Sequence, residues 1–149
     1  MARKRTGELL AGALLLAALG GMAFAQGDAI AARQGFMKSL NGKLTAIGNF
    51  ATDAAAAKQA AIDVNNGFKA FHGQFPAGSD STAGKTRAKA EVWSDAAAFK
   101  AATDLAAAAS GQLVSAVNSG DAAQITAAVG AMRQACGSCH NAFRGPAVR

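Results

Sequence analysis

Cys136, Gly137, Ser138, Cys139 and His140 follow one another near the end of a 149-residue chain. They include both of its cysteines and one of its two histidines. Two thiols and an imidazole this close are suited to three kinds of chemistry. They form a dithiol redox pair, supply three of the four ligands of a structural zinc site, or anchor a c-type haem through a C-x-x-C-H signature. A redox pair of the thioredoxin kind needs a βαβ setting, and no segment of the chain alternates with the period of a strand. Zinc needs a fourth ligand, and outside the run only His72 and carboxylates are left. Haem attachment asks for nothing more. On a helix, Cys136 and Cys139 at i and i+3 share a face, where both thiols reach the vinyl groups of one haem as thioethers. His140, at i+4 from Cys136, then turns its imidazole toward the iron. The implied cofactor is one covalently attached haem c.

The elements that must position this run are helical. Beyond residue 25 the chain has 34 alanines in 124 residues and no tyrosine, a composition that favours helix. Four segments carry apolar residues at 3-4 spacing. Residues 28–49 align Ile30, Arg33, Met37, Leu40, Leu44 and Ile47. Residues 53–74 align Ala57, Ala61, Val64, Phe68 and Phe71. Residues 91–118 align Phe99, Ala102, Ala106, Ala109, Leu113 and Ala116. Residues 121–144 align Ile125, Val129, Met132, Cys136, Cys139 and Phe143. Each stripe is the seam of a helix in a bundle. Asp53 is an expected N-cap, Asp121 with Gln124 a capping-box-like start, and Gly145-Pro146 a stop. Residues 75–89, with Pro76, Gly78 and Gly84, make the one long connection. The expected fold is an all-α antiparallel four-helix bundle with the haem near one end and C-x-x-C-H on the last helix.

The first 25 residues read as an address. Arg3, Lys4 and Arg5 precede an apolar run over 9–19, and Ala23-Phe24-Ala25 is a small-x-small cleavage site. The run is too short to span a bilayer. Residues 1–25 are therefore expected to be a cleaved signal peptide and 26–149 a single exported domain. Without Arg3, Lys4, Arg5 and Glu8 the net charge falls from +6 to +4. The basic residues form no run and are not interleaved with aromatics, which argues against a nucleic-acid partner. No Ser-His-Asp arrangement, phosphate loop or inward carboxylate pair points to an enzyme.

C-x-x-C-H at the C-terminal end of a four-helix bundle resembles the class II c-type cytochromes, the cytochrome c′ and cytochrome c-556 family. The likeness covers the whole of 26–149. It includes Arg33-Gln34-Gly35-Phe36-Met37-Lys38, Gln74-Phe75-Pro76-Ala77-Gly78-Ser79, Trp93 with Phe99, and Cys136 to His140 followed by Phe143-Arg144. The resemblance implies that the first helix faces the iron from the side opposite His140. Met37 stands at the matching position, which brings the chain closer to the c-556 type, where a Met binds iron in a low-spin electron carrier. A Met that merely fills space leaves five-coordinate iron open to NO or CO, as in cytochrome c′. The signal peptide and a c-type haem together imply a periplasmic location, with redox partner proteins there, and the resemblance further implies a homodimer through the first two helices.

Other side chains have two readings each. Arg33 is a cation on an apolar stripe; it contacts a haem propionate or snorkels to solvent. Arg144, one turn past His140, tunes the proximal side or offsets the helix dipole. His72 is a rival axial ligand or an exposed helix-end residue. Phe36, Phe68, Phe71 and Trp93 line the haem or belong to the core. The function expected is one-electron transfer, with gas binding as the alternative.

Overall fold

A computed structural model describes residues 8–147, with side chains from residue 28 onward. Four long helices, α1 (Glu8–Gly48), α2 (Ala54–Phe71), α4 (Ala96–Ser119) and α5 (Ala122–Phe143), form a four-helix bundle, and a single-turn helix, α3 (Glu91–Ser94), precedes α4. The helix α4 packs on both α2 and α5, and α1 packs mainly on α2. The expected signal peptide lies outside the side chains described. No helix is long and apolar enough among the described residues to cross a membrane.

The four stripes become the core. Leu40, Leu44 and Ile47 meet Ala61, Val64, Phe68 and Phe71 from α2, Ala106, Leu113 and Ala116 from α4, and Ile125, Val129 and Met132 from α5. Small residues let the helices approach closely. A Cβ on Gly67 would overlap the ring of Phe36. That ring lies edge-on to Phe68, with centroids 5.1 Å apart, so Gly67 sets how α1 seats on α2.

Helix boundaries follow local hydrogen bonding. Asp53 accepts from the Ala56 N–H at 2.9 Å and caps α2. Asp121 accepts from Ala123 and Gln124 at 2.8 and 2.9 Å. The return bond of a capping box is replaced: the Asp121 N–H donates to Ser119 Oγ at 3.3 Å. The third stripe, expected as one helix over 91–118, is broken at Asp95, whose backbone leaves the helical region at φ −123 and ψ 59. Its carboxylate caps α4 by accepting from Ala98. Asp favours a cap over a helix interior because its short side chain competes for backbone donors. The second stripe ends as an α-helix at Phe71 and continues as a 3-10 turn, His72–Gln74.

The crossover over 75–90 is tied at both ends. Arg33 is only 4% exposed. It donates from Nη1 to the Gln74 carbonyl and Ser79 Oγ, at 3.2 and 2.9 Å, and from Nη2 to the Ser79 carbonyl and Thr86 Oγ1, at 2.6 and 3.0 Å. Phe75 lies under the guanidinium at 4.6 Å, which adds a cation–π contact. Arg33 thus does not snorkel; its charge is satisfied by crossover carbonyls and hydroxyls. At the other end the Lys89 N–H donates to the Phe143 carbonyl and the Gly145 N–H to the Arg87 carbonyl, pairing Ala88 with Arg144 in one antiparallel bridge.

Arg33→Met keeps a flexible unbranched stem, shorter than arginine's, and removes every donor. It should cost about 2–4 kcal/mol of stability, because buried acceptors lose charge-assisted bonds, as read from urea unfolding. Gly67→Ala should also destabilise, by about 1–3 kcal/mol, through overpacking against Phe36.

Candidate functional site: a cavity at one end of the bundle

At the crossover end the stripes part and leave a cavity of about 570 Å³. This is within the usual range for small-molecule and cofactor sites. Helix α5 contributes Cys136, Cys139 and His140, and α1 contributes Met37 and Arg33. Phe68, Phe71, Phe75, Phe99 and Phe143 give it an aromatic wall. Phe99 is edge-on to both Phe75 and Phe143, at 4.7 and 5.2 Å between centroids, which locks the rings together.

Cys136 and Cys139 are half-buried free thiols. Burial pushes both above the ordinary thiol value, and Cys139 adds to the effect at Cys136. Burial, and then the charges of Arg144 and Arg87, hold His140 below the ordinary imidazole value. Its neutral form, the one that binds metal, is therefore favoured at neutral pH. Two thiols one helical turn apart, a neutral imidazole beside them, and an apolar cavity of this size are a donor set and space that fit a covalently held haem.

The expected site residues Arg33, Met37, Cys136, Cys139 and His140 all meet at this one cavity. His72 does not: it is exposed, and its ring lies 5.8 Å from that of Phe99. Phe36 and Trp93 stand behind the wall. Phe36 backs Phe68 and Phe71, and the Trp93 indole donates to the Phe75 and Pro76 carbonyls at 3.2 and 3.1 Å. The cation at the end of α5 is not only Arg144. Lys89 reaches back from the crossover and donates to the Asn141 and Ala142 carbonyls at 3.3 and 2.9 Å, where the helix dipole favours a positive charge. The crossover stretch Lys85 to Ala88 also lines the cavity, which the stripes could not reveal. The alternation of Lys85, Arg87 and Lys89 was its one available signal.

A family model described as Cytochrome C′ matches residues 28–144. The chain belongs to the cytochrome c′ family. Members of this family carry covalently attached haem c. The chain is 35% identical over 117 residues to cytochrome c-556 of Agrobacterium tumefaciens, covering 75% of this chain and 93% of that one. It is 53% identical over 70 residues to cytochrome c′ of Rubrivivax gelatinosus, an alignment spanning 47% of this chain and about half (54%) of that relative's length. The crystal structure of the Rubrivivax protein superposes with a TM-score of 0.72 at 39% identity, over 80% of this chain and 96% of that one. A nitric oxide complex of a cytochrome c′ variant from Alcaligenes xylosoxidans superposes at 0.70 and 27% identity, over 82% and 97%.

In the haem-free chain the lowered imidazole value has a defined consequence. The stabilisation it represents is complete above the unfolded histidine's value and is lost as pH falls through the folded one. Arg144→Gln should move the His140 midpoint upward, in an NMR titration of chain expressed without haem attachment. An unmoved midpoint would assign the depression to burial and Arg87.

Proposed function

We propose that the protein is a periplasmic one-electron carrier. Cys136 and Cys139 would hold haem c through thioether bonds, and His140 and Met37 would ligate its iron. One observation carries this reading: α1 brings Met37, and α5 brings the two thiols and the imidazole, to the wall of one cavity. When bound, the haem iron supplies a ferric–ferrous couple.

The chain's own residues hold and tune that couple. The thiols at i and i+3 fix the cofactor to one face of α5, so that His140 needs no search for its position. The thioether of Met37 is soft and uncharged and favours a raised potential. The interlocked phenylalanines exclude water and lower the local dielectric, a second lever on potential. Met37 and His140 lie on two long helices of one packed bundle, which keeps the ligand geometry similar in both redox states. Partners are redox proteins of the same compartment, reached by export through residues 1–25, and the reading includes a homodimer through α1 and α2.

A second reading rests on the surroundings of Met37. Its side chain also packs against the core, as a gap-filling Met does. If packing is its whole role, the sixth position is open and the protein binds NO or CO there.

Absorption spectra of the purified holoprotein, oxidised and reduced, with and without CO, separate the two. Met37 ligation predicts sharp split bands on reduction and no change with CO. Met37→Ala should then give a high-spin, CO-binding haem with a lower potential. Broad bands and ready CO binding in the unaltered protein would establish the gas-binding reading.

A further inference from the structure

Charge is distributed unevenly around the cavity. Among the described residues five cations line it, Arg33, Lys38, Lys85, Arg87 and Arg144, and no Asp or Glu does. Arg33 is buried, while the other four are exposed. Residues 28–147 contain eleven Lys and Arg and eight Asp and Glu. Away from the cavity, six cations are therefore outnumbered by eight acids. Several of those acids are committed to the fold. Asp53, Asp95 and Asp121 cap helices, and Asp63 and Asp104 pair with Lys43 and Lys100. The net positive charge of the described chain thus resides at the cavity. Two haem propionates set against it would leave a surplus of three.

We infer that Lys38, Lys85, Arg87 and Arg144 form a rim that docks an acidic protein surface against the cavity mouth. The inference deepens the electron-carrier reading and rests on it, since it names the kind of partner that reading requires. Screening confines exposed charges to about 10 Å at 0.1 M salt. A partner approaching the mouth therefore feels the rim rather than the slightly acidic remainder. Rims of one sign raise association rates by about 10–10³-fold at low ionic strength. Two features keep this one in place. Arg87 donates from Nε to the Gly145 and Pro146 carbonyls at 2.9 and 3.0 Å, and the Gln34 amide donates to the Lys85 carbonyl at 2.7 Å. The ammonium groups of Lys38 and Lys85 are left to solvent.

The test uses the holoprotein and reduced flavodoxin, an acidic flavoprotein, as electron donor in stopped flow. Lys38→Glu with Lys85→Glu should slow haem reduction at least tenfold at low salt, with the difference vanishing at high salt. The control is Lys100→Glu with Arg133→Glu, the same change in net charge at exposed positions of α4 and α5 that do not line the cavity, and it should change the rate less than twofold. The small cation hexaammineruthenium(II) should show the opposite order, faster with the rim reversed. Equal slowing by both double variants would assign the effect to net charge and overturn the rim. Rim-dependent sedimentation with phosphatidylglycerol vesicles, and no rim effect on flavodoxin, would overturn it in favour of a membrane surface. Failure of the underlying reading looks different: no covalent haem, or no reduction of any variant by either reagent.

Discussion

A guanidinium buried among helices must be given acceptors or the bundle does not close. Arg33 sits on the apolar stripe of α1, where no carboxylate among the described residues meets it, and the 3-10 turn and the crossover answer with two carbonyls and two hydroxyls. This one requirement shapes the functional end of the molecule. It folds a loop of Gly, Pro and Ser over the bundle and brings Phe75 under the charge. It also sets the crossover as the wall that separates the aromatic cavity from solvent. The rest of the site is built against that wall.

The opposite side of the cavity depends on α5 alone. A five-residue run puts both thiols and the imidazole on the cavity wall, so the proposed attachment chemistry is local. What is not local is the environment. His140 is kept neutral by burial and by Arg144 and Arg87, one from its own helix end and one from the crossover. The same cations belong to the positive mouth. Ligand state and surface charge are thereby set by one small group of side chains.

Much of this was legible in the sequence, and the reasons differ by element. The four stripes were readable because burial imposes a 3-4 period, and nearly all their members lie in the core or at the cavity. The cysteine–histidine run was readable because its chemistry is short-range. The inward placement of Met37 followed from the first stripe, while ligation to iron is a question of distance and spin that periodicity does not encode. The break at Asp95 was hidden, because the apolar period runs through it without a change of phase. The partners of Arg33 were hidden for a different reason. They are backbone carbonyls and hydroxyls 41 to 53 residues away, and neither leaves a pattern. Nor does anything in the composition announce that Lys89 would close the end of α5.

The two ties of the crossover also order events in time. It bonds to residue 33 at one end and to residues 141–146 at the other, across separations of 41 to 59 residues. Contacts this distant in sequence are entropically late, whereas α4 and α5 meet through a two-residue turn and form early. Helix α5 can therefore be complete, with Cys136 and Cys139 held in register, before the wall above them settles. A newly made chain passes through a stage in which the thiols are aligned and the cavity is still open, and the last step of folding shuts the door.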